Sequence, residues 1–150
     1  MLSATSDHAV RAMLVLARAR RVMRADEISA ATGAPQNYMA KTLNALARSG
    51  LVTSSRGPAG GFALAVPATS ITIARVVDLF ETPRLQTRCM LGTAPCDPKH
   101  PCAAHESWTR IMRARREPLL TTTIADLAGE TAATIAAPAR DAAVATSSAA

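Results

Sequence analysis

The middle of the chain, where a helix is followed at once by a glycine-rich hairpin, constrains the fold most. The helical pattern ends at Ser49, and Gly50 supplies a C-terminal stop. Two short runs typical of β-strands follow, at residues 51–54 and 62–65, and the turn-forming segment 56–61 between them contains three glycines. A two-stranded hairpin directly after an exposed helix predicts a wing beside a recognition helix.

Two short helices before the hairpin predict a helix-turn-helix. The first runs from about Ala25 to Thr32 and stops at Gly33, and Pro35 begins the second at its first turn. The second helix has one apolar face and one polar, basic face, with the polar residues spaced by four, three and four. The apolar face is Met39, Leu43 and Leu46, and the outward face is Asn37, Lys41, Asn44 and Arg48.

Composition favours a mainly helical protein that binds a polyanion. Aromatic residues make up only 3% of the chain against 49% hydrophobic residues, which favours helices over a β-sandwich. The net charge is +6, and the first 65 residues hold eight Lys or Arg against three Asp or Glu. We therefore expect double-stranded DNA as a partner, with Arg56 at the wing tip reaching phosphate or the minor groove. A basic surface that only aids solubility is the alternative.

Three more helical segments flank this unit. One spans about residues 3–21, with Ser6 or Thr5 as its cap, and another spans about 72–81 with core-packing periodicity. A third spans about 104–117 and should end or kink at Pro118. A last short turn follows at 124–127, preceded by threonines that can cap it. The apolar stripe of the third helix is Trp108, Ile111, Met112 and Arg115.

The domain boundaries follow from these segments. We expect a winged helix-turn-helix DNA-binding domain at 1–81, a cysteine loop at 82–103 and a dimerisation helix region at 104–128. Residues 129–150 are rich in alanine, threonine and serine and lack aromatic residues, which predicts a disordered tail. The fold class is therefore mainly α with a small β-hairpin wing.

All three cysteines lie in one stretch punctuated by proline and glycine. Cys89 and Cys96 are separated by six residues, Cys96 and Cys102 by five, and His105 follows one helical turn after Cys102. Three thiolates and an imidazole can supply four ligands to one metal centre, and the spacing favours His105 over His100 as the histidine. Zinc bound by these residues and a thiol–disulfide switch both remain open.

Other function classes find little support. No nucleophile, phosphate-binding or paired-carboxylate motif indicates an enzyme. The N-terminal helix carries charges within its apolar pattern, so it is neither a signal peptide nor a membrane span. An odd number of cysteines without a signal peptide predicts a cytoplasmic, reducing setting in which thiols bind metal or sense oxidants.

Taken together, these residues resemble the Rrf2 family of bacterial winged-helix regulators, which includes IscR, NsrR and RirA types. The resemblance rests on residues 6–11, the wing at 50–64, the cysteine triplet and the segment 122–127, and covers about residues 1–127. It implies a homodimer held by the long C-terminal helix. It also implies an iron–sulfur cluster that controls binding to a palindromic promoter site on double-stranded DNA. Through this cluster the protein would sense nitric oxide, iron or redox state. We expect neither a membrane nor a small-molecule substrate as a partner.

The resemblance also assigns residues. Cys89, Cys96 and Cys102 match the cysteine ligands, and His105 matches the histidine that completes a two-iron cluster. Asp7 matches the aspartate that reaches a four-iron cluster from the partner subunit, so the fourth ligand stays open, with the two-iron form favoured. The positions matching DNA contacts are Asn37, Ala40, Lys41 and Arg56. Ala40 stands where IscR-like members carry an acidic residue that discriminates DNA sites, so their site preference does not transfer.

Overall fold

The computed structural model describes residues 2–81 and 97–130, and over these residues it confirms a mainly helical chain with one antiparallel hairpin. Helices and strands follow the order α1, α2, α3, β1, β2, α4, α5 and α6, with a 3₁₀ turn at Ala68–Ser70 before α4. Their bounds are α1 Ala4–Ala19, α2 Ala25–Thr32, α3 Gln36–Arg48, β1 Val52–Ser55, β2 Gly61–Leu64, α4 Ile73–Val77, α5 His105–Thr121 and α6 Ile124–Glu130.

The core lies between α1, α2 and α3, which contact one another pairwise. The predicted inner face of α3 is confirmed, because Met39, Leu43 and Leu46 are all fully buried. Met13 from α1 and Ile28 from α2 are fully buried in the same cluster. Burial of this many aliphatic side chains, each contributing roughly 1.5–3 kcal/mol, fixes the position of α3 on the other two helices.

The helix ends were predicted with mixed success. α2 has the predicted bounds, and Gly33 after it adopts φ +72°, the left-handed conformation that glycine tolerates. Pro35 is the N-cap of α3, one position before the first turn. The predicted caps of α1, Ser6 or Thr5, were wrong, since its cap is Ser3, whose hydroxyl accepts a hydrogen bond of 3.2 Å from the Ser6 amide.

The hairpin is attached to the helices along one of its edges. β1 and β2 pair in a register that sets Val52 opposite Leu64 and Ser55 opposite Gly61. Outside the hairpin, Met23 exchanges backbone hydrogen bonds of 2.9 and 2.8 Å with Phe62, so β2 lies between β1 and the α1–α2 connection. A Cβ at Gly61 would lie 2.4 Å from the Met23 carbonyl oxygen, so this pairing requires glycine.

The C-terminal helices return to the helix-turn-helix unit. Ile124 at the start of α6 is fully buried, and its amide donates 2.8 Å to the carbonyl of Ile71. Thr123 caps α6, as expected, by accepting from the Asp126 amide. α6 is longer than predicted, because it continues to Glu130.

Of the two outcomes predicted at Pro118, an end or a kink of the helix, the end is wrong. α5 continues to Thr121 with Pro118 inside it, and the Thr122 amide donates to the Pro118 carbonyl at 3.0 Å. A proline removes only one backbone donor, and on an exposed helix the carbonyl left without a partner can be hydrated. Over the ranges the structure describes, no helix has the length and apolar character needed to cross a membrane.

Candidate nucleic-acid interface and cysteine segment

The outward face of α3 is open to contact. Asn37, Lys41, Asn44 and Arg48 are all exposed, as the spacing predicts, whereas Ala40 between them is half-buried. A helix presenting amide and basic side chains along one face has the donors and acceptors that base edges and phosphates require. The structure therefore groups the four polar residues on one face and leaves Ala40 with only partial access.

A contact that the sequence did not predict ties the start of α3 to α1. The Tyr38 hydroxyl makes a short hydrogen bond to the Thr5 hydroxyl, and its ring packs edge-on against His8 with centroids 5.6 Å apart. These groups lie 33 residues apart in the sequence, so no local pattern could reveal the pairing. Because Tyr38 immediately follows Asn37, this contact holds the N-terminal end of the outward face against α1.

The wing tip adds a further cation. Arg56 is exposed in the turn between β1 and β2, and Gly60 closes this turn with an amide hydrogen bond of 2.9 Å to the Gly57 carbonyl. A Cβ at Gly60 would lie 2.4 Å from the Ser55 carbonyl oxygen, so the tight turn that presents Arg56 requires glycine.

Six of the eight cations among residues 1–65 fall into two groups. Arg11, Arg21 and Arg24 form ion pairs with Asp7, Glu27 and Asp26. Lys41, Arg48 and Arg56, in contrast, have no ion-pair partner among residues 2–81 and 97–130. The charges that remain uncompensated on the outward face of α3 and at the wing tip can attract a polyanion.

The C-terminal part of the cysteine segment leads directly into α5. Cys102 has an exposed free thiol, and its carbonyl accepts a hydrogen bond of 3.0 Å from the amide of His105, the first residue of α5. Cys89 and Cys96 lie outside the described residues. Among residues 2–81 and 97–130 no group of three His, Cys, Asp or Glu side chains could hold a metal ion.

The two histidines near Cys102 differ in their surroundings. The His100 imidazole Nδ1 lies 2.9 Å from an Asp97 carboxylate oxygen, whereas His105 is half-buried at the start of α5. Hydrogen bonding to His100, and then to the Lys99 amide, lowers the pKa of Asp97. The structure thus places His105, and not His100, on the helix that packs against the rest of the molecule.

The candidate fourth ligand Asp7 has a partner within its own helix. Its Oδ2 lies 2.8 Å from Nε of Arg11, one turn further along α1. Both side chains remain about half exposed, at 45% for Asp7 and 49% for Arg11. Such an exposed pair is worth at most about 1 kcal/mol, so it leaves Asp7 free to exchange partners at little cost.

Glu81 anchors the chain at the other end of the cysteine segment. Its Oε1 accepts a hydrogen bond of 2.9 Å from the Ser3 amide and one of 2.7 Å from the Ser6 hydroxyl, at the start of α1. These two hydrogen bonds, the first more than the second, lower the pKa of Glu81. Sequence reasoning missed this residue because its partners are 78 and 75 positions away.

α5 differs from every other long helix, since none of its residues is buried. It contacts α4, and the Arg116 guanidinium forms a two-pronged ion pair with the Asp78 carboxylate just after that helix. Trp108, Met112 and Leu119 are half-buried, whereas Ile111 is 53% exposed and Leu120 52%. Within the predicted stripe, Trp108 and Met112 are thus half-buried, whereas Ile111 and Arg115 are exposed.

A winged helix-turn-helix with a basic outward face, followed by a long surface helix, defines a class of DNA-binding regulators. The sequence model of the Rrf2 family, described as iron-dependent transcriptional regulators, matches residues 2–130. The chain belongs to the Rrf2 family of transcriptional regulators.

Individual relatives agree with this assignment. The chain is 37% identical over 131 residues to the HTH-type transcriptional regulator Rv1287 of Mycobacterium tuberculosis, covering 85% of this chain and 81% of the relative. It is 34% identical over 110 residues to the HTH-type transcriptional regulator IscR of Escherichia coli, covering 71% and 67%.

Among solved structures, CymR, the global cysteine regulator of B. subtilis, superposes with a TM-score of 0.72. The two chains are 25% identical, and the match covers 86% of this chain and 96% of CymR. This likeness confirms the winged-helix fold class. Because IscR and CymR both appear among the relatives, family membership alone does not assign the signal.

Proposed function

We propose that the chain is a homodimeric regulator whose promoter binding depends on an iron–sulfur cluster held by Cys89, Cys96, Cys102 and one further ligand. The observation that carries the proposal is the position of the cysteine segment, which joins the helix-turn-helix unit to α5. At one end Glu81 is hydrogen-bonded to the start of α1, and at the other end Cys102 leads without a linker into α5.

The donor set suits such a group. Thiolates are the usual ligands of iron–sulfur clusters, and a histidine can replace a thiolate on one iron. The exposed Cys102 thiol and His105, one turn apart at the start of α5, would supply two of the ligands. Oxidants, nitric oxide or loss of iron would change how these side chains are bound to such a cluster.

The chain's own residues then carry the response. Glu81 is fixed on Ser3 and Ser6 of α1, and Tyr38 at the start of α3 is fixed on Thr5 of the same turn. A change in the conformation of the segment after Glu81 would therefore shift the first turn of α1, and Tyr38 of the recognition helix is bonded to the same turn. At the other end, a shift at Cys102 acts on α5.

α5 is the proposed dimer contact. Its exposed Ile111 would be covered by the same helix of a partner, which would fix the distance between two copies of α3. Dimers of helix-turn-helix proteins read two half-sites about 34–36 Å apart, so the α5 contact would set the spacing of a palindromic site.

DNA contact is assigned to the exposed cations described above. Asn37, Lys41, Asn44 and Arg48 would lie along the major groove, with Ala40 facing the bases between them. Arg56 would reach phosphate or the minor groove from the wing. Alanine at Arg56 should weaken binding about uniformly across sites and reduce the salt slope by about 1.

The test is to compare iron and acid-labile sulfide content with DNA affinity in protein prepared without oxygen. We expect wild type to hold both and to change its affinity for a promoter fragment when the cluster is removed. Cys96→Ala should lose the iron and the visible absorption while keeping the helical circular dichroism signal. Equal DNA affinity with and without iron would reject control by a cluster, and colourless protein with one equivalent of zinc would favour a zinc site instead.

The fourth ligand is tested by three single variants in the same preparation. Loss of iron in His105→Ala alone would assign His105, and loss in Asp7→Ala alone would assign Asp7. His100→Ala serves as the matched control, because its side chain is 87% exposed and already paired with Asp97.

A thiol-oxidation switch is the second candidate, favoured by the free, exposed thiol of Cys102. In that case the DNA affinity would follow the number of free thiols during mild oxidation, with iron absent throughout. Counting thiols and iron in parallel with DNA binding separates the two mechanisms.

A further inference from the structure

The start of α3 carries an exposed carboxamide that lies beside the outward face of the helix. Gln36 is the first residue of α3, and its side chain is exposed. Within the described ranges 2–81 and 97–130 this carboxamide makes no hydrogen bond to another residue. In helix-turn-helix proteins the N-terminal residues of the recognition helix are the ones that contact base edges. Gln36 therefore occupies a position from which a side chain can reach DNA.

A gap of about 480 Å³ separates Gln36 from the turn of the wing. Across this gap the wing presents Gly57 and Pro58, whose side chains have no hydrogen-bonding group. The charged residues that line the gap in the described part of the chain are Arg24 and Asp26, and they pair with each other at 3.3 Å. The gap thus provides no fixed partner for the carboxamide and little net charge for a phosphate.

Ala40, one helical turn after Gln36, leaves the space over this carboxamide open. Residues four apart lie on the same side of a helix, and a side chain covers the surface over the turn before its own Cα. A long side chain at position 40 would therefore lie over Gln36. Ala40 has only a half-buried methyl group, which cannot hydrogen-bond to a base. The short side chain thus gives Gln36 room to reach a base pair that position 40 itself does not read by hydrogen bonds.

The backbone around Gln36 is held firmly against the rest of the helix-turn-helix unit. The Tyr38 hydroxyl is hydrogen-bonded to the Thr5 hydroxyl of α1, and Met39 is fully buried in the core. The first turn of α3 is therefore fixed on α1 before DNA binds. A contact made through two hydrogen bonds requires this kind of preset position.

From these observations we propose that Gln36 reads one A·T base pair in each half-site and so sets part of the sequence preference of the regulator. Its carboxamide combines an acceptor and a donor, which match the N6 amino group and N7 of adenine in the major groove. A phosphate is the poorer partner, because the carboxamide is neutral and the charges of Arg24 and Asp26 offset each other. This role rests on the proposed function, in which α3 lies in the major groove.

The test begins with selection of binding sequences from a randomised DNA pool by the full chain, prepared without oxygen and again after removal of iron. Each base pair of the selected sequence is then changed singly, and the affinities are measured by fluorescence anisotropy. We expect adenine at one position of each half-site to matter about tenfold to wild type, as for one bidentate contact. In Gln36→Ala the base pair at this position should no longer matter, while discrimination at the other positions stays.

Gln36→Glu is the sharper variant, because it keeps the shape of the side chain but only accepts hydrogen bonds. A glutamate accepts from the N4 amino group of cytosine, so the preferred base at this position should change from adenine to cytosine. Thr69→Ala, which truncates an exposed polar residue of the 3₁₀ turn, is the matched control and should leave the selected sequence unchanged. Arg56→Ala, in contrast, should weaken binding to all duplexes alike.

Two results would overturn the role of Gln36 and leave the proposed function intact. Full discrimination at every position in Gln36→Ala, beside normal selection by wild type, would show that Gln36 reads no base. An equal loss on every duplex, with an unchanged helical circular dichroism signal, would make Gln36 a contact to the DNA backbone instead. Wild type that selects no sequence in either form would reject the proposed function itself, and the role of Gln36 with it.

Discussion

The helix-turn-helix unit and α5 differ in what holds them in place. The unit formed by α1, α2 and α3 contains most of the fully buried side chains, among them Met13, Ile28 and Leu43. α5 has 17 residues, one more than α1, yet none of its residues is buried. The first region is thus stabilised by its own core, whereas the second is attached by half-buried side chains and an ion pair.

This difference has a functional meaning. A DNA-reading unit must keep its recognition helix in one position, and close packing of aliphatic side chains provides that rigidity. A helix attached mainly along one side can shift or be completed by a partner, which suits a segment that follows a candidate sensing loop. We therefore expect substitutions in the core of the helix-turn-helix unit to lower the unfolding free energy more than substitutions on α5.

Leu43→Ala should give the largest loss. Leu43 is fully buried at the centre of α3, and removing its side chain should lower the free energy of unfolding by about 2–5 kcal/mol. Denaturant titration followed by circular dichroism measures this loss. Met112→Ala on α5 is the matched comparison, because it also truncates one aliphatic side chain but at a half-buried position. Equal losses at both sites would break the distinction between the two regions.

Gly61→Ala should cost roughly 1–3 kcal/mol, because its Cβ would meet the Met23 carbonyl oxygen at 2.4 Å. The expected result is a wing that no longer pairs with the α1–α2 connection, visible as faster hydrogen exchange at the Met23 and Phe62 amides. Alanine at Gly129, where a Cβ meets nothing within 4 Å, is the control and should not destabilise the chain. Slow exchange at both amides in Gly61→Ala would show that the bridge tolerates the side chain.

Most of the helix-turn-helix could be predicted from the sequence, because its signals are local. Gly33 marks the end of α2, and the apolar spacing of α3 reveals its buried face. The Met23–Phe62 bridge and the Glu81 anchor could not be predicted, since both join residues far apart in the chain. The sequence left open whether Pro118 ends or kinks α5, because a proline removes one backbone donor without fixing where the helix stops.

The sequence predicted which residues belong to the candidate sites better than it predicted their roles. The sequence grouped the outward residues of α3, whose exposure the structure confirms, while their roles at DNA remain predictions. The ligand roles of Cys89 and Cys96 remain predictions as well.

Glu81→Gln should cost about 1 kcal/mol, since the amide keeps the shape of the side chain but weakens its two hydrogen bonds. The pKa of Glu81 is lowered in the folded chain, so its stabilising effect is complete above the unfolded-state pKa. It is lost as the pH falls through the lowered folded-state value. The difference between wild type and Glu81→Gln should therefore be largest near neutral pH and shrink in acid below the usual pKa of a glutamate. Urea titrations at several pH values measure it, and a difference that grows toward acid would contradict the assignment.

Ile111→Glu should change the unfolding free energy of a protomer least, by less than about 0.5 kcal/mol, because Ile111 is 53% exposed and packs little within its own chain. If α5 joins two protomers, the same change places a carboxylate in an apolar contact, where an unpaired charge is costly. Sedimentation velocity should then show a monomer, whereas Thr109→Glu, on the other side of the helix, should remain a dimer. The two substitutions would thus affect different properties: Leu43→Ala lowers the stability of the protomer, and Ile111→Glu weakens only the association of two protomers. A dimer that survives Ile111→Glu would mean that α5 is held in place by something other than its own copy.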